Sequence, residues 1–298
     1  MADALHLDAV GQKQQHSKAK RIALEIFAII LMLVVLSPFV IVLFNSTKTF
    51  DHITRDPVSP PENWENLRIN IEAVMHDPTT DFIGAFKDSA IITVLSLVVI
   101  VIFSAMAAWV LVRNKSKFSN FTFMMFVAAM VIPFQVVMYP LVYFLKSIGD
   151  FLGTRMLGTY HGIVFAYLGF GCSLSIFVFH GFIKSIPLAL EESAFIDGCS
   201  QPGVFFKIIL PLLVPTITTV AILNGIWIWN DYLLPLLVLG GNGEVQTIPL
   251  AVTAFAGSYV KQWNLIMTAA LLAMVPIVVL FIFAQKYIIR GMVEGAIK

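Results

Sequence analysis

A few polar side chains lie within otherwise apolar stretches of this 298-residue chain, where they could bind a ligand. Asp231 is the one acid placed clearly inside such a stretch, and a buried ionisable group is a functional candidate because burying a charge is costly. Amides and carboxylates suit a ligand that carries hydroxyl groups, and aromatic rings suit an apolar face of a ligand. The candidates for a ligand path are Asn224, Trp229, Asn230, Asp231, Gln135 and Tyr139. Alternatively, Asp231 caps or pairs with a neighbouring helix.

Gln135, Tyr139 and Tyr143 recur at four-residue spacing and therefore share one face of a predicted helix. Such a stripe either lines a path for a ligand or seals an interface with a partner subunit. The two cysteines lie far apart and the six histidines share no metal-ligand spacing. The dipeptide Gly-Lys, which a phosphate-binding loop requires, does not occur. We expect no catalytic residue, metal or cofactor in this chain, so any ATP would be hydrolysed by another subunit.

The composition predicts an integral membrane protein. Hydrophobic residues make up 58% of it and charged residues 12%, which is about half the charged share of an ordinary soluble domain. The net charge of +1 provides no basic excess for binding nucleic acid. An ordinary globular domain is therefore excluded.

Six apolar stretches predict an all-α polytopic membrane domain over residues 22–289, since about 20 apolar residues cross the hydrocarbon core as a helix. The first is too long for a secretory signal peptide and no cleavage site follows it, so we expect it to remain as a membrane helix. Prolines in the fifth are candidates for kinks. The stretches are Ile22–Phe44, Ala90–Val112, Phe121–Leu145, Tyr160–Phe182, Leu212–Leu239 (with Pro215 and Pro235) and Gln262–Gln285.

The distribution of Lys and Arg predicts that both ends of this domain face the cytoplasm, because cytoplasmic segments carry the excess of these residues. This orientation leaves 12 of the 19 Lys and Arg residues inside. The N-terminal tail 1–21 and the C-terminal tail 290–298 are then cytoplasmic. Residues 45–89 form a long acidic loop outside, which either connects two helices or meets an external partner.

The segment 184–211, between the fourth and fifth predicted helices, has the pattern of two short helices joined by a tight turn. Pro187 marks the start of the first helix, and Gly198 ends it because glycine can adopt positive φ. Ser200 is the predicted N-cap of the second helix. The sequence thus places a helical pair under the membrane.

This helical pair is predicted either to dock on a soluble partner or to lie flat on the lipid headgroups. Glu191 and Glu192 occupy the early turns of the first helix, where the helix dipole favours anions. In the docking interpretation, Glu192 and Asp197 offer acceptors at the rim of the contact. The apolar residues that would face the partner are Leu188, Leu190, Ala194, Phe195, Val204, Phe205 and Phe206.

The spacing within this segment resembles the EAA loop of ABC importer permeases. It comprises Glu192-Ser193-Ala194, three residues, Gly198, nine residues, and Ile208-Ile209-Leu210-Pro211. The stretches Ser185-Ile186-Pro187 and Trp229-Asn230-Asp231-Tyr232 are similar to those of the carbohydrate-uptake branch, the maltose-type permease subunits. The likeness covers nearly the whole chain; it departs at Ser193, where the family usually has Ala.

The resemblance implies a permease subunit of a bacterial or archaeal cytoplasmic membrane. It would pair with a second permease subunit, and each permease would rest its EAA helices in a cleft of one of two ATPase subunits, which would bind ATP and Mg. An extracytoplasmic binding protein would deliver the carbohydrate. The resemblance also implies that the turn at Gly198 admits no bulky residue. The residues implied in ATPase coupling are Glu191, Glu192, Ser193, Ala194, Asp197, Gly198, Leu210 and Pro211.

Two other transport functions remain as alternatives. A secondary, ion-coupled transporter predicts coupling acids or interrupted helices at matched positions of two halves, whereas Asp231 is a single interior acid. An importer of the same branch for glycerol phosphate would need cationic ligands, and no Lys or Arg occupies the centre of a predicted helix.

Overall fold

In a computed structural model the chain consists of helices joined by turns, and the structure describes residues 18–240, 243–256 and 262–296. All regular secondary structure in these ranges is helical, which confirms the predicted all-α class. In chain order the helices are α1 (Lys18–Ser46), α2 (Phe50–Arg55), α3 (Glu65–Met75), α4 (Phe82–Arg113), α5 (Lys117–Ala129), α6 (Phe134–Leu152), α7 (Tyr160–Ile183), α8 (Ala189–Ile196), α9 (Gln201–Val204), α10 (Leu210–Leu212), α11 (Val214–Asn230), α12 (Leu233–Val238), α13 (Ile248–Ala254) and α14 (Trp263–Ala296), with a π-helical turn, Phe205–Ile209, between α9 and α10.

Four of the described helices are long and apolar enough to cross a bilayer: α1, α4, α7 and α14. They contain the first, second, fourth and sixth predicted stretches. The number of candidate spans rises to six only if each of two bent helix pairs crosses as one unit. The predicted tail 290–298 is helical as far as Ala296, as part of α14, and its last two residues lie outside the described ranges, as do residues 1–17 of the N-terminal tail.

The third predicted crossing, Phe121–Leu145, is not one straight helix, because α5 and α6 meet at an angle of 109°. The break falls at Pro133, which precedes α6 with extended backbone (φ −63°, ψ 138°). Proline lacks the N–H that would continue the helical hydrogen bonds, and it disfavours helical backbone at the residue before it. α6 ends at Gly153, whose φ of 66° is left-handed.

The fifth predicted crossing, Leu212–Leu239, is also divided into shorter helices. Pro215 does not kink α11 but lies in its first turn, where the missing N–H costs nothing. A bend of 75° precedes α11 and separates it from the helical stretch Gln201–Leu212. α11 ends because Asp231 adopts extended backbone (ψ 126°).

α4 and α7 pack against each other at the centre of the described fold. Small buried residues allow this approach, including Ala105 and Ala108 of α4 and Gly171 and Ser175 of α7. In contrast, α1 contacts α14 and exposes most of its apolar side chains. Such a surface is stable only when lipid or another protein covers it.

The predicted outer segment 45–89 is more than a connector, because it contains α2, α3 and the start of α4. Asn70 of α3 is buried, and its side-chain amide donates to the carbonyl oxygens of Ser46 (2.9 Å) and Lys48 (3.0 Å). Its amide oxygen accepts from Asn264 of α14 at 3.0 Å. These bonds hold α3 against the ends of α1 and α14.

Candidate substrate pathway and coupling segment

The helical pair predicted within 184–211 is present as α8 and α9. α8 begins at Ala189, two residues after Pro187. Leu188, directly before the helix, already has helical backbone. Gly198 follows α8 with a φ of 86°. The Ser200 hydroxyl accepts from the backbone N–H of Gly203 at 3.4 Å and so caps α9. The sequence pattern therefore located both helices and the turn between them.

Burial divides the predicted docking residues into two sets. Ala194, Val204 and Phe205 were expected to face a partner, and this was wrong for all three, because they are buried in a core cluster with Trp109 of α4. The exposed set comprises Leu188, Leu190, Phe195 and Phe206, each 43–49% exposed, together with Ile196 at 86%. Among the other residues assigned to coupling, the polar Glu192, Ser193 and Asp197 are exposed. Pro211 is also exposed, and Leu210 is half-buried.

Glu191 is buried, at 2% exposure, and points into the chain rather than outwards. One carboxylate oxygen accepts from the guanidinium of Arg113, from Nη2 at 2.6 Å and from Nε at 2.7 Å. The other accepts from the indole N–H of Trp109 at 3.0 Å. This cluster was not predicted from the sequence, because Glu191 is 78 residues from Arg113 and 82 from Trp109 and no local pattern links them.

Gly198 is constrained by its backbone and not by its surroundings. No atom of a neighbouring residue would lie within 4 Å of a Cβ added at this position. The expected crowding in the turn is therefore absent within the described chain. The left-handed backbone instead explains the glycine, because residues with a Cβ adopt it only at a cost.

A cavity of about 450 Å³ lies where the α5–α6 break meets α7 and α11. Its size falls within the range of about 300–1,000 Å³ found for small-molecule sites. The described residues that line it are uncharged: Ala129, Met130, Ile132, Val137, Gly169, Phe170, Gly171, Ser173, Leu174, Leu223, Asn224 and Trp227.

Asn224 provides the amide group of this cavity. Its Nδ2 donates to the hydroxyl of Ser175 at 3.1 Å and to the carbonyl of Val220 at 2.9 Å, which fixes the orientation of the amide. The amide oxygen lies beside Gly171, where an added Cβ would approach it to 2.9 Å. Trp227, 38% exposed, lines the same cavity and packs edge-on against Tyr167. The site thus combines a fixed amide with an aromatic surface.

Of the six predicted pathway residues, Asn224 alone is among the described residues that line the cavity. Trp229 donates from its indole nitrogen to the carbonyl of Ala273 at 3.1 Å, on the α14 side of α11. The exposed Asn230 donates to a carbonyl of its own helix. Gln135 and Tyr139 lie on an exposed face of α6. The cavity was not predicted from the sequence. The signal that could have indicated it is a group of small residues that leave space between helices: Gly169, Gly171 and Ser173.

Asp231 ends α11 and caps α12. One carboxylate oxygen accepts from the backbone N–H groups of Leu233 (3.0 Å) and Leu234 (3.4 Å). The other accepts from the Tyr167 hydroxyl at 3.2 Å. These partners match the capping and pairing alternative considered for Asp231. Among the described residues, no three His, Cys, Asp or Glu side chains lie together as metal ligands would.

These features define a class of protein: an integral membrane transport subunit, with apolar helices around an uncharged cavity and a short helical pair at one end. The chain belongs to the family of binding-protein-dependent transport system inner membrane components, whose model matches residues 100–294. That match covers the C-terminal part of α4, all of α5 to α13 and most of α14.

Two relatives and one solved structure illustrate the likeness. The probable starch degradation products transport system permease protein AmyC of Thermoanaerobacterium thermosulfurigenes is 42% identical over 280 residues, covering 92% of this chain and 96% of the relative. The melibiose/raffinose/stachyose import permease protein MelC of Bacillus subtilis is 36% identical, covering 72% and 76%. A bacterial ABC transporter that imports the acidic polysaccharide alginate has a chain of the same fold, with a TM-score of 0.76, 19% identity, and coverage of 92% of this chain and 98% of that one.

Proposed function

We propose that this chain is a permease subunit of an ATP-driven importer that takes up a sugar or oligosaccharide delivered by an extracytoplasmic binding protein. Two relatives support the substrate class, since AmyC is named for starch degradation products and MelC for melibiose, raffinose and stachyose. A binding protein is supported by a related alginate transporter, solved in complex with its pentasaccharide-bound periplasmic protein.

The observation that carries the proposal is the uncharged cavity beside Asn224 and Trp227. A neutral sugar needs hydrogen-bond partners for its hydroxyls and an apolar surface for its ring; the Asn224 amide oxygen can accept a hydrogen bond, since the amide nitrogen already donates within the chain, and the Trp227 ring supplies the apolar surface. The cavity suits a phosphorylated or ionic substrate poorly, because a phosphate needs cationic or N–H donors. This favours a carbohydrate over glycerol phosphate.

The exposed face of α8 would bind an ATPase subunit that carries ATP and Mg. Leu190 and Phe195 supply apolar contact area, and Glu192 and Asp197 supply acceptors at the rim. Two such ATPase subunits and a second permease subunit would complete the importer. In this assembly each bent helix pair spans the membrane as one unit, which gives six spans and places both termini in the cytoplasm.

Reconstitution in vesicles tests the proposal. The chain is assembled with its partner permease, ATPase subunits and binding protein, and uptake is measured with a panel of labelled mono- and oligosaccharides and glycerol phosphate. We expect ATP-dependent uptake of at least one neutral sugar, which disappears when the binding protein is omitted. Uptake driven by an ion gradient without ATP would instead establish a secondary transporter, and uptake of glycerol phosphate alone would overturn the substrate class.

A further inference from the structure

We propose that Arg113 and Trp109, at the end of α4, are positioning residues for energy coupling: they fasten α8 to α4 through Glu191, so that α4 carries the movement of α8 to the substrate pathway. The inference rests on the proposed function, since it concerns how an ATPase subunit moves this chain.

Both carboxylate oxygens of Glu191 accept hydrogen bonds from residues of α4. Arg113 donates two N–H groups to one carboxylate oxygen, and Trp109 donates its indole N–H to the other. Arg113 Nη2 also donates to the carbonyl of Ile186 at 3.0 Å, just before α8. The guanidinium therefore binds both the first turn of α8 and the segment that leads into it.

This attachment lies on the side of α8 opposite to its exposed surface. Glu191 and Ala194, three residues apart, are buried, whereas Glu192 and Phe195 are exposed. An ATPase subunit can therefore occupy the outer face while the inner face stays bound to α4. A pull on the outer face is passed to α4 through a charge pair in which the Glu191 side chain is 3% exposed and the Arg113 side chain 21%, and such a pair is held more strongly in these surroundings than in water.

α4 extends from this attachment to the opposite end of the fold, about 38 Å away at 1.5 Å per helical residue. At that end Asp88 accepts from the hydroxyl of Tyr160 (2.5 Å) and from the backbone N–H of Gln246 (3.0 Å). Ser89 accepts from the backbone N–H of Ile248 at 2.8 Å. One helix is thus hydrogen-bonded to the coupling segment at one end and to the segment before α13 at the other.

Between these ends α4 passes the candidate pathway. The Ile100 side chain of α4 lies close to Gly171, where an added Cβ would approach it to 2.6 Å and would approach the amide oxygen of Asn224 to 2.9 Å. A shift of α4 relative to α7 therefore changes the wall that holds Asn224. This gives the movement of α8 a direct path to the cavity through packed side chains.

The competing explanation is that the cluster only stabilises the fold. A purely structural role predicts that variants lose transport and ATP hydrolysis together, in proportion to the amount of folded importer. A positioning role predicts that the ATPase subunits still bind and still hydrolyse ATP, but that less sugar moves for each ATP.

The test uses the complete importer in vesicles, with Arg113→Gln, Glu191→Gln and Trp109→Phe. Trp109→Phe removes the indole N–H together with part of the ring volume but keeps an aromatic ring beside Phe205, so it remains informative if a charge variant fails to assemble. Arg113→Lys keeps the charge and serves as the conservative variant. Arg21→Gln, which breaks the exposed Arg21–Glu25 pair of α1, is the matched control. The amount of bound ATPase subunit, ATP hydrolysis and sugar uptake are measured together.

We expect Arg113→Gln and Glu191→Gln to lower the sugar transported per ATP by about fivefold or more, the scale of a typical coupling energy between sites. Trp109→Phe should lower this ratio less, Arg113→Lys should restore part of it, and Arg21→Gln should leave it unchanged. An unchanged ratio in assembled Arg113→Gln and Trp109→Phe importers would overturn the inference while leaving the proposed function intact. Failure of the wild-type importer to couple ATP hydrolysis to uptake would overturn the proposed function itself.

Discussion

At the scale of single residues, the backbone conformation of Gly198 restricts which residues can replace it, whatever the volume of their side chains. Its φ of 86° lies in the left-handed region, and the space around its Cα is open within the described chain. A residue with a Cβ pays roughly 1–2 kcal/mol for this conformation, while asparagine adopts it more readily than alanine. Backbone strain and steric crowding therefore predict opposite orders for substitutions at this turn.

We predict that Gly198→Ala impairs ATP-driven uptake more than Gly198→Asn, although asparagine is the larger residue. The strain in Gly198→Ala should tilt α9 relative to α8 and weaken their joint fit to an ATPase subunit. Uptake by assembled importers and the affinity for the ATPase subunit are the measurements. If Gly198→Asn is the more damaging variant, crowding in the assembled importer governs the turn.

Asn224 is the predicted pathway residue whose position best fits contact with a sugar. We predict that Asn224→Ala lowers uptake mainly by raising the KM, by about fivefold, since one hydrogen bond contributes on the order of 1 kcal/mol. Asn230→Ala is the matched control, because Asn230 lies on the same helix but is not among the described residues that line the cavity. Uptake kinetics of importers with equal subunit content check this. Equal effects of the two substitutions would remove Asn224 from the pathway.

At the scale of helices, the start of α7 depends on a close backbone contact. A Cβ added at Gly162 would approach the carbonyl oxygen of Met156 to 1.8 Å, so the preceding loop would have to move. Gly181, near the other end of α7, has open space at the same position. These two of the four glycines in α7 therefore have different roles.

We predict that Gly162→Ala destabilises the subunit by about 1–3 kcal/mol, as overpacking commonly does, whereas Gly181→Ala is neutral or stabilising by up to about 1 kcal/mol through helix propensity. Thermal unfolding of the purified subunit in detergent gives both values. A Gly162→Ala protein as stable as wild type would show that the loop around Met156 adapts freely.

Local features of the helices were predictable from the sequence, because they depend on neighbouring residues. The α8–α9 turn, the Ser200 cap and the four long helices follow from hydrophobic runs, capping residues and glycine position. The 109° break at Pro133 was missed, since proline within an apolar run is compatible with either a kink or an end. The burial of Glu191 was missed because its partner Arg113 is distant in sequence, and pairing of that kind is a property of tertiary packing.

At the scale of the whole molecule, one face of α6 indicates how the chain assembles. Tyr139 and Tyr143 are 73% and 75% exposed, and they share this face with the exposed Gln135. Hydroxyl and amide groups facing the hydrocarbon core leave their hydrogen bonds unmade, which is costly. By contrast, the exposed side chains of α1, such as Phe27, are apolar and suit lipid. The two surfaces therefore predict different environments in the assembled importer.

We predict that a second permease subunit covers the α6 face and leaves α1 in contact with lipid. Cys172 and Cys199 are first replaced by serine, and Tyr143→Cys or Phe27→Cys is then introduced for labelling with a membrane-permeant thiol reagent. Assembly should slow labelling at Tyr143→Cys several-fold and leave Phe27→Cys unchanged, because protein contact excludes the reagent and fluid lipid does not. Equal labelling of Tyr143→Cys before and after assembly would instead assign the tyrosines to the membrane interface, where their hydroxyls reach water. The polar stripe would then anchor the depth of α6 in the bilayer, and the partner would have to bind another face.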